Sequence, residues 1–270
     1  MNSMQIPAHV EQIIHTLNSH GYEAFAVGGC VRDTLLGCKP GDWDITTSAR
    51  PEQVKALFRR TIDTGIQHGT VTIMMDRTGY EVTTYRIDGE YEDGRHPKQV
   101  EFTSDLLEDL RRRDFTINAM AYSHATGIVD AFDGVADLKA RRIRCVGNAM
   151  ERFTEDALRI LRAIRFSAQL DFEIEKETFE AISVIAPNLA KVSKERIQME
   201  LTSFSALSIR KRSAKSMRPA SVPMCHRPLP RWTGRMPGYL QRCRKKNMCA
   251  GQPFFAVETV RKTQCGYFGI

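Results

Sequence analysis

No stretch of this 270-residue chain is apolar for long enough to cross a bilayer as a helix. The first seventeen residues mix polar and apolar side chains, with Val10, Ile13, Ile14 and Leu17 at helical spacing, so they do not read as a signal peptide. The seven cysteines are scattered without paired spacing, which argues against a disulfide framework and for a reducing, cytoplasmic setting. Cys243, Cys249 and Cys225-His226 lack the spacing of a zinc site. Net positive charge is lacking as well, except at one end. Of the 39 Lys and Arg, 14 fall in residues 206–270 beside a single acid, Glu258, a net of +13 there and −6 for residues 1–205. The overall +7 is therefore no argument for nucleic-acid binding by residues 1–205. What is present in quantity is apolar residue, 42% of the chain, enough for a core in one or two domains.

The most informative stretch runs from Tyr22 to Thr47. A short apolar run, Phe25 to Val27, stops at Gly28-Gly29, and a helix-like segment follows from Val31 to Leu36. Two glycines between strand and helix let the backbone approach a bulky anion, and a helix N-terminus offers free N–H groups to phosphate. After Pro40-Gly41 come Asp42 and Asp44, two apart on an expected strand, with carboxylates projecting from one face. Two hard oxygen ligands beside a phosphate cradle suit Mg²⁺ held jointly by protein and a nucleoside triphosphate. Alone, a Gly-Gly is usually a turn and an Asp-x-Asp a solvated strand edge. The two in this order and at this spacing make a stronger signal.

Gly28-Gly29-Cys30-Val31-Arg32-Asp33 followed by Asp42-Trp43-Asp44 resembles the head of the class II tRNA nucleotidyltransferase and bacterial poly(A) polymerase family. The bacterial CCA-adding branch is the most similar, and the resemblance extends through later motifs to about Leu201. It implies an α+β fold: a mixed-sheet catalytic head over 1–140, a helical neck with base recognition over 141–204, and an irregular tail over 205–270. In this family the head adds C and A from CTP and ATP to the 3′ end of tRNA without a template and releases pyrophosphate. Poly(A) addition and A-only or CC-only addition remain alternatives, as does an inactive or merely RNA-binding product.

Along the rest of the chain, Val10–Ser19 reads as a helix, and Thr47 to Glu52 as the start of another. Val71–Met75 and Glu81–Arg86 read as strands around an Asp76-Arg77-Thr78-Gly79 turn. Glu81 is either a third carboxylate for the Asp pair or a charged residue at a strand start. Residues 87–97 read as a mobile loop beside the site. Arg111-Arg112-Arg113 precede an apparent apolar helix, Phe115 to Ala121. Cations there oppose the helix dipole, a cost that an anionic ligand nearby would explain. Asp130, Gly134, Asp137 and Leu138 read as a turn-rich hinge. A single helix is expected over Phe153–Phe166, with Leu158, Leu161, Ile164 and Ala168 apolar and Asp156, Arg159, Arg162 and Arg165 as a ligand-facing stripe. Phe172–Ile185 and Val192–Leu201 read as two further helices.

The resemblance also implies roles. Asp42 and Asp44 would bind two Mg²⁺ ions, while Gly28, Gly29 and Arg32 would contact triphosphate or sugar and Asp33 brace the turn. Arg113, Asp156 and Arg159 would lie beside the incoming base, with Arg162 and Arg165 reaching phosphate or ordering the pocket. A carboxylate accepts from the exocyclic amine of cytosine or adenine, and a guanidinium donates to their ring acceptors. Uracil and guanine mismatch both groups. The expected partners are the tRNA 3′ end, ATP and CTP, with no membrane; the sequence is silent on oligomeric state. Residues 206–270 hold six of the 11 prolines and four of the seven cysteines with no apolar period. They read as a disordered basic tail or, given the abrupt change, as a shifted reading frame near Phe204.

Overall fold

The computed structural model describes residues 4–89 and 100–204. The element order is α1 (Ala8–Ser19), β1 (Ala24–Val27), α2 (Gly29–Leu35), β2 (Asp44–Thr47), α3 (Pro51–Leu57), β3 (Thr61–Gly65), β4 (Thr70–Met75) and β5 (Thr78–Thr84). Then come β6 (Arg86–Asp88), β7 (Val100–Phe102), α4 (Leu106–Arg111), β8 (Met120–Ser123), β9 (Gly127–Asp130), α5 (Gly134–Ala140) and β10 (Arg142–Ile143). The chain continues through α6 (Ala149–Glu155), α7 (Leu158–Leu170), β11 (Glu173–Ile174) and α8 (Lys176–Ile185). Helical backbone resumes over 194–204. The expected α+β mixed-sheet fold is what forms. Among the described residues no helix is long and apolar enough to cross a membrane.

Seven strands make the main sheet in the order β3-β4-β5-β2-β1-β8-β9. Every neighbouring pair is antiparallel except β2 with β5, which is parallel. β1 lies near the middle, and all four of its residues are buried. Ala24 and Ala26 join the larger core with α1, while Phe25 and Val27 face a second core with Tyr85, Leu106 and Leu110. A strand covered on both faces explains why Ala24 to Val27 reads as an unbroken apolar run rather than an alternation.

Several local expectations are corrected. The β4–β5 turn has two residues, not four: Met75 pairs with Thr78, and Asp76 and Arg77 both take positive φ, 46° and 67°. Both central residues of a type I′ hairpin turn need that conformation, and here Asp-Arg occupies it in place of the usual Asn-Gly. The stretch read as a hinge contains a helix, α5. Asp130 satisfies its first amides, accepting from Gly134 N at 2.7 Å and Val135 N at 2.8 Å. Residues 115–121 are not helical throughout but pass from a 3₁₀ turn (Thr116–Asn118) into β8. The single helix expected over 153–166 is two, broken between Glu155 and Leu158, and a short strand, β11, precedes α8. The expected loop at 87–97 lies mostly outside the described residues, and so does the 205–270 tail.

Candidate active site

Asp44 opens β2, and the parallel register sets it directly opposite Glu81 of β5. Asp42 lies two residues earlier, just before the strand begins. On its other side Asp44 pairs with Val27, the last residue of β1, so the Gly28-Gly29 turn leaves the sheet at the same end. Gly28 has φ 82°, open to glycine and unfavourable to L side chains. A Cβ built there would lie 3.0 Å from Arg113 Nη1. Glycine at this position therefore permits both the turn and the close approach of the guanidinium.

Electrostatics follow from that gathering. Burial and the neighbouring charges of Asp42 and Glu81 push the Asp44 carboxyl up to about 6, with Arg113 opposing. Burial is the largest cause, and the carboxylates crowded at one sheet end push in the same direction. Arg113 is held by Asp109, Nη2 to Oδ2 at 3.4 Å, and its buried Nε has no partner among the described residues.

The three arginines are not at a helix N-terminus. They close α4 at its C-terminal end, where cations favour the dipole. Arg111 pairs with Glu108 at 2.9 Å, and Arg112 reaches Asp109 at 2.7 Å. The arginines therefore impose no electrostatic cost at that segment that a ligand would need to explain. What singles out Arg113 is its position against Gly28.

Asp156 sits in the break between α6 and α7, accepts from Leu158 N at 3.0 Å, and takes a two-pronged contact from Arg196 at 3.2 and 2.7 Å. Arg159 is buried and reaches Glu155 at 2.6 Å, Arg152 O at 3.1 Å and Arg112 O at 3.1 Å. Arg112 O belongs to the residue before Arg113, so backbone and side-chain contacts link α7 to the carboxylate end of the sheet. Arg162 binds Asp114 at 2.7 Å, and Arg165 binds Glu200 at 2.6 Å and lies 4.3 Å over the Phe166 ring. The stripe is thus countered by acids from other segments. The apolar side of α7 is also rotated from expectation: Ile160, Ala163 and Phe166 are buried, and Ile164 is exposed. Arg32 is buried too, tied to Asp33 at 2.7 Å and Asn118 at 2.7 Å, so it braces the glycine turn from behind.

Comparison with known proteins finds similar sequences and structures over most of the chain. Residues 24–144 match the family described as the poly A polymerase head domain. Residues 171–204 match one described as a probable RNA and SrmB-binding site of polymerase A. The CCA-adding enzyme of Leuconostoc mesenteroides is 50% identical over 220 residues, 80% of this chain and 54% of the relative. The solved CCA-adding enzyme of Bacillus stearothermophilus in complex with CTP is 46% identical with a TM-score of 0.68, over 74% of this chain and 49% of that one. The Thermotoga maritima CCA-adding enzyme complexed with tRNA is 26% identical with a TM-score of 0.61, over 79% and 52%. This chain spans about half the length of the relatives it matches.

Four residues that tie this head together escaped sequence reasoning: Thr46, Asp109, Asp114 and Asn118. Asp109 is fully buried and accepts from Thr46 Oγ1 at 3.1 Å as well as from the arginines. Its spacing of three and four before Arg112 and Arg113 was a usable signal. Asp114 accepts from Asn118 Nδ2 at 3.2 Å, and Asn118 in turn accepts from Arg32. That link crosses 86 positions of sequence and has no local pattern.

As to metal, no three Asp, Glu, His or Cys side chains among the described residues form a ready-made cage. The donor set still fits a divalent cation. Hard carboxylate oxygens meet at one sheet end, and their mutual repulsion is what a dication relieves.

Proposed function

We propose that this chain carries a template-independent RNA nucleotidyltransferase site. It adds C and A from CTP and ATP to the 3′ end of tRNA and releases pyrophosphate. The observation that carries this reading is the register of Asp44 against Glu81 at the sheet end where Gly28 and Arg113 meet. The relatives support it by name, being CCA-adding enzymes, one solved with CTP and one with tRNA.

Asp42 and Asp44, with Glu81 beside them, would hold Mg²⁺. When bound, the ion supplies charge neutralisation on phosphate and a lowered pKa for an attacking hydroxyl. The protein's own groups do the rest. Gly28 and Gly29 let the backbone come close to the triphosphate, and Arg113 sets a positive charge beside the carboxylates. Asp156 only accepts and Arg159 only donates, the pattern that fits cytosine and adenine and mismatches uracil and guanine. Asp156 already takes three hydrogen bonds from Leu158 and Arg196, out of about four lone-pair sites on a carboxylate, so its orientation is fixed. A mismatched base would leave buried polar groups unpaired, at a cost of roughly 1–3 kcal/mol each.

The test is incubation of the full chain with tRNA lacking its 3′ end and each labelled nucleoside triphosphate. CTP and ATP should be incorporated and UTP and GTP excluded, with Asp42→Ala and Asp44→Ala reduced by about a hundredfold or more. Incorporation of ATP alone in a long ladder would assign poly(A) addition instead. Near-parent activity in either variant would remove the carboxylates from the reaction.

A further inference from the structure

Asp109 lies outside the reaction centre, yet four contacts from three side chains converge on it. It sits on α4, whose Leu106 and Leu110 cover the sheet face that carries Phe25 and Val27. Register places Asp44 on that face, because Val27 pairs with Asp44 and Phe25 with Thr46. Thr46 is two residues after Asp44, and its hydroxyl donates to Asp109 Oδ2 at 3.1 Å. The other oxygen accepts from Arg112 Nε at 3.0 Å and Nη2 at 2.7 Å. Arg113 Nη2 stands 3.4 Å from Oδ2.

A fully buried carboxylate with this set of partners is not ordinary helix furniture. An isolated charge there would be strongly unfavourable, and two guanidiniums with a hydroxyl offset that cost. Burial alone would raise its pKa, but Arg112 and Arg113 hold it below the usual carboxylate range, so it stays an anion. The arrangement is asymmetric. Arg112 is gripped through two nitrogens, whereas Arg113 has one long contact, and its buried Nε is unpartnered among the described residues. Arg113 is thus aimed by Asp109 without being consumed by it, and it rests against Gly28.

We infer that Asp109 is a positioning residue for nucleotide binding: it fixes Arg113 over the Gly28 turn and, through Thr46, ties that guanidinium to the strand carrying Asp44. This rests on the reading of Arg113 as part of the nucleotide site. Through Arg112, whose carbonyl accepts from Arg159, the same anchor also reaches α7.

The test is a double-mutant cycle on the full chain, with CTP affinity measured calorimetrically and folding followed by thermal melting. Arg113→Met should weaken CTP binding by about tenfold or more. Asp109→Asn keeps the shape and the acceptor for Thr46 but removes the charge, and it should weaken binding by a similar factor. The double variant should bind within about twofold of Arg113→Met alone, because a residue acting through Arg113 has nothing left to act on. A merely structural Asp109 would give losses that multiply, or a lowered melting temperature with unchanged affinity, and either result overturns the inference. If Asp109→Asn does not fold, Asp109→Asn with Arg112→Met restores the local charge balance and leaves Arg113 unanchored. Parent-like affinity in that variant, or failure of it to fold, also overturns the inference. A parent that binds no CTP, or an Arg113→Met that binds it normally, would instead overturn the underlying reading of the site.

Discussion

Asp114 shows how one buried acid can set the acid limit of this fold. Its carboxylate accepts from Phe115 N at 2.8 Å, Asn118 Nδ2 at 3.2 Å and Arg162 Nε at 2.7 Å. Burial alone would raise its pKa, but the Arg162 charge and these hydrogen bonds bring it down to about 2. The sign follows from the depression. The unfolded chain takes up the proton first as pH falls, so the stabilisation is whole above about pH 4 and is lost between about pH 4 and pH 2. Its size is roughly 2 kcal/mol. Urea unfolding of the parent at pH 5 and pH 2.5 should show this loss on top of that from other carboxylates. In Asp114→Asn the loss over that interval should be smaller by about that amount, from a lower starting stability at pH 7. Equal acid sensitivity in parent and variant would show that the Arg162 contact contributes nothing to the native state.

At the scale of elements, the break between α6 and α7 matters more than either helix. One continuous helix over 153–166 would carry Asp156 on the ligand-facing stripe that the sequence suggested. The break turns its carboxylate to cap α7 and to meet Arg196 in the last helical stretch. Periodicity could not reveal this, because α7 does have an amphipathic pattern and only the acids of distant segments, Asp114 and Glu200, decide which side its arginines face. The glycine turn, the Asp pair and Glu81 were legible for the opposite reason. They depend on local backbone chemistry and on period-two alternation, and β2–β5 register then needs only one pairing. The Arg111 to Arg113 run was misread because α4 itself is only six residues, too short to show a period, so a helix end looked like a helix start. If Arg196 holds Asp156 for base reading, Arg196→Met should let UTP and GTP compete at least about tenfold better against CTP. Arg196→Lys should restore part of the discrimination. Unchanged discrimination in Arg196→Met, with a lowered melting temperature, would confine Arg196 to packing.

Across the whole molecule, charge is divided more sharply than structure. Residues 1–205 carry a net of −6, and the arginines of the site are largely matched by acids in contact with them. Such a surface offers little general attraction for a polyanion. Residues 206–270, at +13 with one acid, have the composition for that attraction. Meanwhile the core from Met4 to Leu189 is built of side chains contributed by α1 to α3, the sheet and α5 to α8. A chain ending at Ser205 should therefore keep the parent's melting temperature within a few degrees and bind CTP equally. It should lose RNA affinity that is steep in salt: each phosphate contact removed lowers the slope of log K against log salt by about 0.7 for a single strand and 0.9 for a duplex. Titration of labelled tRNA at 50 and 200 mM salt compares the two chains directly. Parent affinity should drop steeply over that range, and the shortened chain should start lower and change less. If the two slopes coincide, the basic residues after 205 do not touch RNA. If the shortened chain melts far below the parent, those residues belong to the folded head, and the charge boundary is not a structural one.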